Sequence, residues 1–118
     1  MSFDPVRIGV IGTGRFGILH AKTLLGLAES ELVALVDCSE KALAELPEDF
    51  SGIPKYSAPE DALRKCSAEA WVVSTSTADH VQVASMLLEQ DAHVLLEKPI
   101  SGNLLEALKL SPLVSQTQ

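Results

Sequence analysis

A doubly wound, open parallel α/β sheet is the fold class this sequence predicts, with five strands in the order 3-2-1-4-5. Three observations predict it. Short, near-continuous apolar runs alternate with amphipathic segments along the chain, the pattern of parallel strands covered by helices on both faces. A glycine turn, Gly12-Thr13-Gly14-Arg15-Phe16-Gly17, joins the first apolar run to the first amphipathic segment. An acid, Asp37, closes the second run 20 residues past Gly17.

The elements follow in order. Val6 to Ile11 reads as a buried strand, ended by the glycine cluster. Phe16 to Leu27 carries Phe16, Leu19, Thr23, Leu24 and Leu27 at helical spacing, so a helix follows at once. Leu32 to Val36 is the second strand, and Ser39 stands where an N-cap belongs, ahead of a helix through Leu46. The stretch from Pro47 to Gly52 breaks the chain, and Ile53 to Tyr56 is a weak third strand. A helix from about Ala58 to Lys65 tolerates Pro59 in its first turn. Ala70 to Ser74 is the fourth strand. Ser76-Thr77-Ala78-Asp79 has the pattern of a capping box opening a helix that ends near Gln90. His93 to Leu96 is the fifth strand, Leu104 to Leu110 the last helix, and the polar tail from Ser111 to Gln118 frays. With no repeats or linkers, residues 1–118 make one domain.

Composition narrows the function. Nine basic residues against 16 acidic ones give a net charge of −7, a surface that repels phosphate backbones and anionic lipid. Nucleic-acid and membrane partners are therefore not expected, and an anionic ligand needs a site built locally from backbone donors. The two cysteines, Cys38 and Cys66, have no CxxC spacing and no histidine at ligand spacing, so no metal is expected. A disulfide between them is possible on paper; two thiols in a reducing compartment are the favoured reading. The opening Met1-Ser2-Phe3-Asp4-Pro5 has no apolar leader core, and no apolar run approaches a membrane span. A soluble, cytoplasmic protein is expected.

The glycine turn supplies the local site. GxGxxG alone is common, but here it follows a predicted strand and opens a predicted helix, the setting of the dinucleotide-binding Rossmann fold. Gly12 allows the tight turn, Gly14 lets the backbone approach a pyrophosphate, and Gly17 lets helix and strand pack closely. The free N–H groups and positive end of the helix attract the anion. Thr13, Arg15 and Phe16 lie in the same turn; Arg15 either reaches the pyrophosphate or is a solvated side chain. Asp37 at the end of the second strand accepts both hydroxyls of the adenosine ribose. A 2′-phosphate there would meet a like charge, at a cost on the order of 1–4 kcal/mol before screening. No arginine follows closely, so NAD is the expected cofactor and NADP is disfavoured.

Two further segments stand at the carboxyl ends of strands four and five, where ligands lie in such sheets. They are Val72-Val73-Ser74-Thr75-Ser76-Thr77-Ala78-Asp79-His80 and His93-Val94-Leu95-Leu96-Glu97-Lys98-Pro99. Alone, Glu97-Lys98-Pro99 is a charged turn. Together with the glycine turn, His20 and the acid after strand two, these segments resemble the amino-terminal domain of the Gfo/Idh/MocA family. That family comprises glucose–fructose oxidoreductase, inositol dehydrogenase and their relatives.

The resemblance implies roles. Thr75, with Ser76 beside it, would line the nicotinamide ribose, and Glu97 would bond ribose hydroxyls. Lys98 would bind the substrate hydroxyl or carbonyl and help move a proton, making it the candidate catalytic residue. Pro99 biases the Lys98 backbone toward extended geometry. Ser76 and Thr77 replace the family's usual proline and asparagine, which puts the side-chain role of that turn in doubt. His80 keeps the family position, where a cofactor contact and simple packing at a helix start are both open. His20 is read as mainly structural.

Relatives in this family continue into a large antiparallel sheet that supplies the substrate pocket, and residues 1–118 are expected to make only the domain before it. The chain is expected to be an excised or truncated amino-terminal domain, or else a cofactor-binding remnant. The function expected is the dinucleotide-binding domain of an oxidoreductase acting on a sugar, polyol or related alcohol by hydride transfer. A stand-alone NAD-binding module without catalysis is the alternative. Self-association through an exposed fifth strand is also expected.

Overall fold

A computed structural model describes residues 4–97 of the chain. The predicted last helix, the tail, Lys98 and Pro99 lie outside the described residues. Five strands form one sheet: β1 (Val6–Ile11), β2 (Ser30–Val36), β3 (Lys55–Tyr56), β4 (Ala70–Val73) and β5 (His93–Leu96). All pair in parallel, in the order β3-β2-β1-β4-β5. This is the doubly wound Rossmann order that the sequence predicts.

Four helices connect the strands: α1 (Arg15–Leu25), α2 (Glu40–Ala44), α3 (Pro59–Lys65) and α4 (His80–Glu89). Along each central strand, successive side chains enter opposite layers, as strand geometry requires. Val10, Leu32, Leu35 and Val72 join Ala21 of α1 and Phe50 on one face. Ile11, Ala34, Val36, Trp71 and Val73 join Ala62 of α3 and Leu87 of α4 on the other. Gly9 stands in the middle of β1, beside β4. It pairs with Trp71, and a Cβ there would collide with the indole ring.

Several local details differ from the sequence reading, each for a physical reason. Of the apolar residues at helical spacing between Phe16 and Leu27, Leu24 packs against the core, but Phe16 and Leu19 are 60% and 53% exposed, and Gly26 caps the helix before Leu27. The helix is instead rotated by Gly17 and Ala21, its two buried residues. Gly17 must lie against the Gly12 carbonyl, and that close approach overrides the pull of the larger apolar side chains. Ser39 does cap α2, accepting from Ala42 N–H at 3.1 Å, but the helix is a short one that stops at Ala44. The break after Pro47 holds a 3₁₀ turn, Glu48–Phe50, that drives Phe50 fully into the core.

The predicted capping box forms differently. The Ser76 hydroxyl donates to the Asp79 carboxylate at 2.9 Å instead of bonding a helix N–H. Asp79 N–H donates to the Ser76 carbonyl, closing a 3₁₀ turn, Thr77–Asp79, that leads into α4. Among the described residues, no helix is long and apolar enough to cross a membrane.

Candidate functional site

Parallel winding brings every strand's carboxyl end to one edge of the sheet, and the β1–α1, β2–α2 and β4–α4 connections meet there. At the first of them Gly12 adopts φ +97°, a backbone state other residues rarely reach. A side chain there would also meet the Ser74 carbonyl. Gly14 is the N-cap of α1, with no side chain capping the helix and no acid in its first turn. A Cβ built on Gly14 meets nothing within 4 Å. The space in front of this turn is thus open, while its N–H donors and helix dipole point an unpartnered positive end at it.

Asp37 is fixed beside this turn. Its Oδ2 accepts from Thr13 N–H at 2.9 Å and from the Thr13 hydroxyl at 2.8 Å. Its Oδ1 accepts from Ser39 N–H at 2.9 Å. Burial pushes the carboxyl pKa up, but the hydrogen bonds from Ser39 N–H, Thr13 N–H and the Thr13 hydroxyl outweigh it, and the group lies below its ordinary value. A carboxylate offers roughly four lone-pair positions, and the protein fills three of these, leaving Oδ1 with the open one. Thr13, buried, thus serves to hold the acid.

A cleft of about 570 Å³ opens along this edge, within the range of small-molecule sites. Of the residues singled out in the sequence, Gly12, Gly14, Asp37, Thr75 and Ser76 line it. Gly17 sits behind the turn as packing, and Arg15 is exposed, its guanidinium 5.9 Å from the centroid of the Phe16 ring. His80 is 2% exposed, and its Nε2 donates to the Thr75 carbonyl at 3.0 Å, so it braces the loop from within. Glu97 lies apart from the cleft, paired with His20 of α1.

Sequence reasoning missed the far wall of the cleft: Cys38, Pro59, Glu60, Gln82, Val83 and Met86. No motif marks them. The rule that ligands lie at the carboxyl ends of strands would have nominated Cys38 and the start of α3, but the α4 residues follow only from how that helix packs. The lining holds three carboxylates, of Asp37, Glu60 and Asp79, and no basic side chain among the described residues. No group of His, Cys, Asp and Glu among those residues is placed to hold a metal.

A parallel sheet with a left-handed glycine turn, an uncapped helix start and a held acid at the next strand end defines a dinucleotide-binding domain. The chain belongs to the Gfo/Idh/MocA family, the oxidoreductase family with an NAD-binding Rossmann fold, whose model matches residues 6–118. It is similar to myo-inositol 2-dehydrogenase of Thermotoga maritima, 34% identical over 84% of this chain and 30% of that one. It is similar also to scyllo-inositol 2-dehydrogenase (NAD(+)) of Bacillus subtilis, at 30% identity over 95% of this chain and 33% of the relative. Among solved structures, GenD2 from gentamicin A biosynthesis in complex with NAD superposes with a TM-score of 0.88. That pair is 25% identical over 98% of this chain and 33% of GenD2. The chain spans about a third of the length of the relatives it matches. The open space before Gly14, which a Cβ would fill, fits a dinucleotide's pyrophosphate.

Proposed function

We propose that this chain holds NAD for an oxidoreductase that moves a hydride between the nicotinamide and a CH–OH carbon of a sugar, polyol or related alcohol. The observation that carries the reading is the Asp37 carboxylate, held by Thr13 and Ser39 beside the uncapped start of α1. NAD, when bound, supplies the hydride acceptor. The chain's own residues then divide the remaining work. Backbone N–H groups from Gly14 to Gly17 neutralise the pyrophosphate, and Asp37 accepts from the adenosine ribose. Thr75 and Ser76 line the nicotinamide side, and Glu97 accepts from the second ribose.

Lys98 follows Glu97 directly and is our candidate for proton handling. Its ammonium would bond the substrate oxygen and exchange a proton with it as the hydride moves. The names of the curated relatives, inositol 2-dehydrogenases, support a polyol as substrate. Two free thiols, Cys38 and Cys66, fit a reducing compartment, and we assign the protein to the cytoplasm.

The cleft favours NAD over NADP because a 2′-phosphate would enter a lining with three carboxylates and no described cation. Calorimetric titration with both cofactors tests this: NAD is expected to bind more tightly, and equal or reversed affinities would overturn the preference. Turnover tests the chemistry. In the natural gene product, Lys98→Ala is expected to lower kcat/KM on a polyol by about 10²–10⁴ while NAD affinity stays within a few-fold. Unchanged turnover would remove Lys98 from the mechanism.

A further inference from the structure

His20 lies on α1 one turn beyond Gly17, and its Nε2 pairs with Glu97 Oε1. The two residues are 77 positions apart in the chain, and their side chains are 30% and 31% exposed. Both stand on anchored backbone. The helix is fixed by the contact of Gly17 with the Gly12 carbonyl. Glu97 N–H donates to the Val73 carbonyl at 3.1 Å, continuing the β4–β5 ladder past its last strand residue. The second carboxylate oxygen, Oε2, has no partner among the described residues.

A free glutamate side chain loses several rotatable bonds when a ligand captures it, and that lost entropy weakens binding. Here one oxygen is already held by a rigid helix and the other is open. The location matters as well. The cleft beside Asp37 and Cys38 takes the adenosine side, and the start of α1 takes the pyrophosphate. The remaining nucleoside of a dinucleotide must then run across β1 toward the ends of β4 and β5, where Glu97 stands.

We propose that His20 is a positioning residue, whose imidazole fixes the Glu97 carboxylate so that Oε2 is ready to accept from the second ribose. The inference rests on the reading of Glu97 as a ribose ligand given above. It adds that α1 serves both halves of the dinucleotide, phosphate at its first turn and nicotinamide ribose through its second.

The probes that test it are NADH and ADP, since ADP carries only the adenosine and diphosphate. His20→Ala is expected to weaken NADH about tenfold, the scale of one charge-assisted hydrogen bond, and to leave ADP within about twofold. His20→Gln, which retains an N–H donor, is expected to recover most of the loss. Combining His20→Ala with Glu97→Ala should weaken NADH no further than Glu97→Ala alone. Unchanged NADH affinity in His20→Ala, or equal losses for NADH and ADP, would overturn the inference. The reading beneath it fails separately: if Glu97→Ala itself leaves NADH affinity unchanged, Glu97 is no ribose ligand and His20 has nothing to position. If Glu97→Ala weakens NADH and His20→Ala does not, only the role of His20 falls.

Discussion

Thr13 and Ser39 hold the Asp37 carboxylate from two sides, one from the glycine turn and one from the start of α2. Burial opposes the charge and three hydrogen bonds favour it, with the bonds prevailing and the pKa lowered. Because the folded value lies below the unfolded one, ionised Asp37 stabilises the fold at pH values above the ordinary carboxylate range. That contribution is lost as pH falls through the folded value. Thermal melts of wild type and Asp37→Asn should therefore differ most near neutrality and converge below about pH 4; a difference that stays constant across that range would contradict this. Asp37→Ser is expected to narrow the gap between NAD and NADP from both directions, weakening the first and relieving repulsion of the second. Calorimetry on the two cofactors reads it directly, and an unchanged ratio would assign the preference to Glu60 or Asp79 instead.

At the scale of the element, α1 decides the geometry of the site. Its two inner glycines have different jobs, and substitutions separate them. Gly14→Ala places a Cβ that meets no protein atom within 4 Å, so its melting temperature should stay within a few degrees of wild type while NAD affinity falls by about tenfold or more, as a phosphate contact is lost. Gly17→Ala drives a methyl into the Gly12 carbonyl and should cost about 1–3 kcal/mol of stability. Reversed outcomes, with Gly14→Ala unfolding and Gly17→Ala neutral, would refute the division. Trp71, packed over Gly9 in the centre of the sheet, should cost about 3–5 kcal/mol when cut to alanine, measured by denaturant titration.

The same helix marks where sequence reading reached and where it stopped. β1 and β5 were legible to the residue, because continuous apolar runs flanked by glycine or polar turns admit few registers. The rotation of α1 was not, since periodicity counts large apolar side chains and cannot weigh a glycine forced against a carbonyl. Of the site, the turn and its acid were legible because their chemistry demands special residues at fixed spacing. Met86, Val83 and Gln82 were not, because any helix of suitable width could have lined that wall.

For the whole molecule, the acidic surface and the anionic ligand stand in apparent conflict. The net charge of −7 disfavours a dinucleotide at long range. The cradle answers at short range, with backbone donors and a helix end whose field is felt within its first turn. Raising salt should therefore leave NAD affinity unchanged or improve it slightly, because screening weakens the long-range repulsion and not the direct hydrogen bonds. A steep loss of affinity with salt would point to surface cations as the true binding groups.

The most direct measurement is a titration of the isotopically labelled chain with NAD, followed by amide resonances. Saturable shifts are expected at Gly12 to Gly17, Asp37, Thr75 and Ser76, with the opposite edge of the sheet, at the amino ends of β1, β2 and β4 around Arg7, Glu31 and Ala70, left unmoved. Saturable shifts confined to that opposite edge, or no shift at millimolar NAD, would contradict the assignment of this cleft to the cofactor.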